Sequence, residues 1–343
     1  MQRFRQRSAA MEKHERVRAA LRGEALERPP YSFWTHLPGI DLDCERIAEE
    51  TAAFQARYDL DFVKSMPNGF YCIEDWGAKL DFSEIAAGGT GRVVASPIGS
   101  AEDWRKLERL SVSRGAYGRE LRHLERLVHR VGAGVPVLAT VFSPLTIAAK
   151  LSCDAHRRHL AESTDEVLAG LELITEVTCA FVREAVGRGC AGMFFALQEA
   201  THAAFSPADY ARFGEPFDRR VIAAAAAAGA WFDVLHMHGE GILFEQLARY
   251  PITALNWHIG ETPPSIAQYR GGGGSRPIVG GLVRGNLTRC DRDAVAADLR
   301  RSLDESRGRG LLIAPACVIR HPVDEAMLHW TAETIRGYRA AQA

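Results

Sequence analysis

Short runs of Val, Ile, Leu and Phe, bounded by Gly, Pro or Asn, alternate along the chain with longer, charge-decorated segments of helical period. Apolar runs of this kind suit strands buried on both faces, and their alternation with helices is the mark of βα units in a parallel sheet. Eight runs predict strands: Tyr31 to His36, Asp61 to Met66, Pro136 to Phe142, Ala191 to Leu197, Phe232 to His238, Ile252 to His258, Pro277 to Leu282 and Leu311 to Ala316. Between them, Ser163 to Gly187 carries a Leu168, Leu171, Ile174, Val177, Phe181 stripe, and Pro207 to Ala228 has an Ala-rich end; both predict helices. Eight βα units predict an α/β fold, a (β/α)8 TIM barrel formed by residues 1–343 as a single domain. The stretch 72–130, with Gly77, the Gly88-Gly89 pair, Gly91 and Pro97, predicts an irregular excursion between the second and third strands, with short strands or a lid over the barrel mouth.

Composition narrows the partners. A formal net charge of -1, from 42 Lys plus Arg against 43 Asp plus Glu, gives no global field for nucleic acid or anionic lipid, so a small-molecule substrate is expected. No apolar run reaches the roughly 20 residues that span a bilayer. The basic start (Arg3, Arg5, Arg7) runs into Glu12 and Lys13 rather than an apolar signal core, and the expectation is a cytoplasmic protein, monomer or homodimer. Seven scattered cysteines do not suggest a disulfide framework. Gly271 to Gly274 precedes a strand instead of following one, which makes it an αβ loop and not a phosphate cradle.

Catalytic groups in such barrels project from the C-terminal ends of the strands. There the fifth strand carries His236-Met237-His238, the eighth Cys317, the fourth Gln198-Glu199 with His202 close by, and the sixth Asn256-Trp257-His258. Alternate strand residues face the same way, so the H-x-H pair can offer two imidazoles to one metal, and Cys317 can join them across a closed barrel. Two imidazoles and a thiolate suit Zn(2+) with one position left for substrate. The competing reading is a pair of hydrogen-bonded histidines beside a buried thiol. Glu199 is a candidate fourth ligand, general acid/base or outer partner of a histidine, and His258 a candidate for lining the pocket. Arg284, after the seventh strand, is a candidate for binding a substrate carboxylate or phosphate.

At these residues the chain resembles the uroporphyrinogen decarboxylase superfamily. The likeness runs from Glu15-Arg16-Val17 through Leu21-Arg22-Gly23-Glu24 to Arg28-Pro29-Pro30, then Phe142-Ser143-Pro144-Leu145-Thr146 and Gly189 to Tyr210, and closes on Gly280-Gly281-Leu282 and Ile313 to Ile319. Where true uroporphyrinogen decarboxylases carry two carboxylate-binding arginines, this chain reads Ser32-Phe33-Trp34-Thr35-His36-Leu37-Pro38-Gly39. That difference argues against a polyanionic tetrapyrrole and makes His36 and Trp34 candidates for shaping the substrate pocket. The decarboxylases' catalytic aspartate has no counterpart after the second strand; Asn68, Tyr71 and Glu74 are candidate substrate contacts. The resemblance is nearer to the cobalamin-linked zinc methyltransferase branch, whose H-x-C pair and later cysteine correspond to His236 and Cys317. His238 departs from it, since imidazole replaces thiolate. One negative charge fewer makes a bound metal a stronger Lewis acid and a bound thiolate less nucleophilic.

The resemblance implies a zinc-dependent methyltransferase moving a methyl group between a small-molecule heteroatom and a cobalamin, with Glu199 or His258 managing a proton. No D-x-H-x-x-G corrinoid motif is present, so the corrinoid would come from a partner protein. Two alternatives stand beside it: a zinc-dependent lyase or decarboxylase acting on a small carboxylated metabolite, and a non-catalytic metal-dependent binding protein.

Overall fold

The computed structural model describes residues 11–84 and 91–338; Arg3, Arg5, Arg7 and the Gly88-Gly89 pair lie outside the described residues. Nine strands occur among them: β1 (Val63–Lys64), β2 (Lys79–Asp81), β3 (Arg92–Ala95), β4 (Val137–Phe142), β5 (Gly192–Leu197), β6 (Val234–Met237), β7 (Ala254–Trp257), β8 (Ile278–Leu282) and β9 (Leu311–Pro315). β1 and β4 to β9 pair in parallel, in chain order, as one curled seven-stranded sheet, a TIM-barrel-like α/β arrangement. Every residue of these seven strands is buried, as expected for a sheet covered on both faces.

Two apolar layers hold the sheet. Trp34, Phe62, Met66, Leu138, Phe194, Val234, Ala254, Val279, Leu312 and Ala314 pack together from successive strands, filling the inside of the curl. The larger core lies between the sheet and its surrounding helices, where Thr164–Gly187 buries Val167, Leu171, Ile174, Val177 and Phe181. Among the described residues no helix is long and apolar enough to cross a membrane.

The edges differ from the sequence expectations in instructive ways. The segment expected as the first strand, Tyr31 to His36, makes only isolated parallel bridges, Tyr31 to Ile313 and Thr35 to Ile319. Its backbone nonetheless bonds on both sides: Ser32 N donates to the Ile313 carbonyl (3.0 Å) and Asp61 N donates to the Tyr31 carbonyl (2.9 Å). Pro29 and Pro30 lack an N–H, so the ladder cannot extend upstream with donors of its own. The helix expected over Pro207 to Ala228 is two, Pro207–Phe213 and Glu215–Ala227. Pro216, which cannot donate to the carbonyl one turn back, enforces the break beside Gly214, where a Cβ would press on the Tyr210 ring at 2.7 Å. The 72–130 excursion holds the antiparallel β2–β3 pair, a 3-10 turn (Ala101–Lys106) and the helix Gly115–Val131.

One buried carboxylate ties the N-terminal helix (Lys13–Leu21) to the sheet. Asp61, fully buried, accepts from Arg28 (2.7 Å), from Arg16 and from the Tyr31 backbone N–H (3.0 Å). Removing it strands two largely buried guanidinium groups, and Asp61→Ala should destabilise the fold by about 3–5 kcal/mol, measured by urea unfolding. A loss below about 1 kcal/mol would show that the arginines re-pair with water.

Candidate metal centre

Strand geometry delivers the polar cluster. His236 is the third residue of β6 and His238 the first beyond its end, so the two-residue period turns both rings inward. Asn256 pairs with His236 in register on β7, and His258 follows β7 as His238 follows β6. Cys317 lies two residues past β9. One ligand atom from each of His236, His238, His258 and Cys317 falls within 4.8 Å of the others. A tetrahedral zinc with bonds of about 2.0–2.3 Å separates its ligand atoms by about 3.5 Å, so sub-ångström to ångström adjustments would bring three of these atoms onto one ion with the fourth residue beside its open position.

The tautomers follow from hydrogen bonds. Asn256 Nδ2 donates to the Val279 carbonyl (2.6 Å), which leaves Asn256 Oδ1 to accept, and His236 Nδ1 is its partner. Nδ1 therefore carries the proton, and His236 Nε2 turns its lone pair to the cluster, 3.4 Å from His238 Nδ1. His238 Nδ1 is in turn 3.7 Å from Cys317 Sγ. His258 Nε2 is buried with no hydrogen-bond partner among the described residues, and His258 Nδ1 is 3.9 Å from the Glu261 carboxylate. A buried donor atom left without a partner carries a desolvation cost that a metal would relieve.

Burial also sets the protonation states. It lowers the His236 pKa well below the usual imidazole range, with the His238 charge adding to the effect. His238 is lowered by burial, then by Arg284 and Lys150; His258 falls to about 4 through burial, then His238 and Arg284. The Cys317 thiol is raised by burial, an effect that Arg284 and Lys64 partly offset. Three neutral imidazoles and one thiol are thus the neutral-pH donor set, a combination that suits zinc.

The other sequence candidates separate. Glu199 Oε2 lies 3.1 Å from Nε2 of the buried His156, too poorly aligned for a hydrogen bond, and Glu199 is not one of the four clustered groups. Arg284, half-buried, bears electrostatically on His238, His258 and Cys317. His36 is exposed, although the protein packed around its ring, together with Lys64, lowers its pKa to about 4. Trp34 is buried in the interior layer, its ring 5.5 Å from that of Phe194. Asn68 is spent locally, accepting from the Phe70 N–H and facing Asp41. Tyr71 is a core residue whose hydroxyl donates to the Thr140 carbonyl (2.9 Å), and Glu74 is paired with Arg119 (2.6 Å). His202 is exposed.

Among the polar groups that sequence reasoning passed over are His156 and Lys64, both buried, and the half-buried Lys150. Lys64 had a readable signal, a charge at the inward-facing position between Phe62 and Met66 of an apolar run. His156 had none, since it opens a helix distant in sequence from Glu199.

A curled parallel sheet with a His/Cys cluster at the C-terminal ends of its strands defines the class: an α/β protein of barrel type with a metal-competent centre. The family model for uroporphyrinogen decarboxylase (URO-D) matches residues 12–338, and the chain belongs to that family. A uroporphyrinogen decarboxylase from Nocardia farcinica (strain IFM 10152) is 28% identical over 241 residues, 67% of this chain; the match spans 64% of that protein, less than two thirds of its length. Among solved structures, a methyltransferase from Methanosarcina mazei superposes with a TM-score of 0.76 at 17% identity, covering 95% of this chain and 98% of its own. A putative vitamin-B12 independent methionine synthase from Listeria monocytogenes gives a TM-score of 0.56 at 12% identity, covering 85% and 86%. At these identities the likeness is one of fold.

Asn256 touches the centre only through His236. Asn256→Ala should weaken zinc affinity by about 10- to 100-fold while leaving the fold intact, measured by competition with a chromophoric chelator. Unchanged affinity would mean that His236 is oriented without it.

Proposed function

We propose that this chain is a zinc-dependent methyltransferase of the corrinoid-linked type, moving a methyl group between a small-molecule heteroatom and a cobalamin presented by a partner protein. The observation that carries this reading is the convergence of His236, His238 and Cys317 at strand ends of a URO-D-family fold. The Methanosarcina methyltransferase supports it at the level of fold. In this reading Tyr31 to Thr35, bonded on both sides, completes a (β/α)8 barrel around the site.

His236, His238 and Cys317 would hold the metal, with His258 beside them. Zinc bound there supplies Lewis-acid polarisation of the substrate heteroatom. His258, neutral at pH 7 and without a hydrogen-bond partner at Nε2 among the described residues, is placed to accept a proton from that heteroatom when a thiol, amine or hydroxyl is the methyl acceptor; in the opposite direction the departing heteroatom takes up a proton instead. Glu199 sits outside the ligand set beside His156, a position from which it can take up or return a proton during turnover. Arg284 brings positive charge to the rim, where it would favour an anionic substrate group.

A second reading, a zinc-dependent lyase or decarboxylase acting on a small carboxylated metabolite, is favoured by the donor set itself. Two imidazoles and a single thiolate would leave a bound metal more electrophilic than a two-thiolate site would.

Two measurements test these readings. Because the imidazoles are already neutral and the thiol is not ionised, zinc binding near pH 7 should release about one proton per ion, from Cys317, and Cys317→Ser should abolish that release in calorimetry across buffers of different ionisation enthalpy. Release of two or more protons would contradict the neutral donor set. For activity, zinc-loaded protein incubated with methylated amine, thioether and ether donors should methylate cob(I)alamin, and His238→Ala should remove the signal. Carbon dioxide release without any corrinoid selects the lyase. Zinc-free protein that keeps its activity in His238→Ala overturns both.

A further inference from the structure

Two loops at the C-terminal end of the sheet are laced together by their backbones. The loop after β5 carries Glu199, and the loop after β6 begins at His238. His238 N–H donates to the Leu197 carbonyl (3.0 Å), His202 N–H to the Gly241 carbonyl (2.8 Å) and Leu243 N–H to the Ala200 carbonyl (3.0 Å), while Thr201 pairs with Ile242. Leaving the first loop, the chain enters the helix Pro207–Phe213, which carries Tyr210; leaving the second, it passes Phe244–Leu247 and reaches Tyr250. Both tyrosine hydroxyls donate to one oxygen, Oδ2 of Asp218 in the helix Glu215–Ala227, at 2.7 and 3.0 Å. One carboxyl thus joins the two chain segments that follow the two loops.

All three side chains are fully buried, and Asp218 Oδ1 has no hydrogen-bond partner among the described residues. No cation pairs with the carboxyl among those residues. Glu215 and Arg219, its charged neighbours on the same helix, pair with each other (2.7 Å), and the Arg219 guanidinium lies 5.0 Å from the centre of the Tyr250 ring. Arg276 donates to the carbonyls of Ala248 (2.9 Å) and Tyr250, and Arg249 bears on Glu215. On Pro207–Phe213, Asp209 accepts from Ser206 (2.7 Å) and Arg212 lies over the Phe213 ring. From Thr164–Gly187, Glu172 is paired with Arg220 (2.5 Å) and Glu176 with Arg109 (3.1 Å); Lys150, the charged residue of Pro144–Leu151, faces the rings of Phe142 and Phe70. Ionised, Asp218 would carry a buried charge with two donors on one oxygen and none on the other, and the neutral acid avoids most of that cost. Burial accordingly drives its pKa up to about 7, although the two hydroxyls pull it down.

We propose that Asp218 is a proton-responsive clamp: its neutral carboxyl holds together the segments that follow the two loops, and its ionisation loosens them. The inference goes beyond the proposed function and does not rest on it. A carboxyl that titrates higher in the fold than in the unfolded chain contributes fully below the ordinary carboxylate range; that contribution is lost as pH rises toward 7 and is constant above. The loops that present Glu199 and His238 therefore open more readily on the alkaline side of neutrality.

Full-length protein and Asp218→Asn are compared by amide hydrogen exchange and urea unfolding from about pH 5 to about pH 8. Wild-type protection at the His202 and Leu243 amides, corrected for intrinsic exchange, should fall by about 10- to 100-fold over that range relative to the variant. The wild-type unfolding midpoint should fall relative to that of the variant until about pH 7 and then run parallel to it. Tyr250→Phe removes a donor that favours the ionised form, so it should move the wild-type transition to higher pH, and it serves if Asp218→Asn does not fold. Parallel pH profiles for wild type and Asp218→Asn throughout would overturn the proposal, because the carboxyl would then not titrate in this range. So would a wild type that gains on the variant as pH rises, the mark of a carboxylate ionised in the fold, or a Tyr250→Phe transition at unchanged or lower pH.

Discussion

The site depends on a short relay fixed by strand pairing: the Val279 carbonyl orients the Asn256 amide, Asn256 Oδ1 holds the proton on His236 Nδ1, and His236 Nε2 turns its lone pair to the cluster, where His238 Nδ1 is its neighbour. Each member comes from a different strand, β8, β7 and β6, so the relay exists only when these strands are in register. The same pairing sets His238 and His258 at matching positions just past their strands. Without that register, the histidines are surface-loop residues with no common point. The protein thus builds its centre on paired strands and the residues just beyond them, which suits precise ligand placement.

Burial does two opposed things around this point. It strips the imidazoles of their protons, which makes them ready donors, and it holds the Lys64 ammonium against the Phe194 ring with no ion pair among the described residues. The first effect favours a metal; the second is a cost that the fold carries.

Much of this was legible in the sequence. The buried strands from β4 to β9 announced themselves as apolar runs, and the placement of His236, His238 and Cys317 followed from strand ends plus the period of two. The first strand was less regular than its residues suggest, because Pro29 and Pro30 deprive its start of donors and only two bridges form. The Pro207 to Ala228 helix was overextended by giving its Ala-rich end more weight than Pro216. Trp34 was a pocket candidate because its segment stands where the decarboxylases carry arginines, and Tyr71 because it follows the second strand, where their aspartate lies; their rings are packed in the two cores. The pairing of Glu199 with His156 could not be read, since nothing in sequence spacing brings a helix start to the end of β5.

Membership of the URO-D family does not choose the reaction, and the His/Cys cluster is richer in imidazole than in thiol. What the account requires is a single metal held by this chain's own His and Cys side chains. Cobalt(II) substitution measures that most directly. The account predicts one cobalt per chain, with the intense visible absorption of a four-coordinate site and a thiolate-to-cobalt charge-transfer band that disappears in Cys317→Ser. Weak, octahedral-type absorption with no sulfur band in the wild type would contradict it.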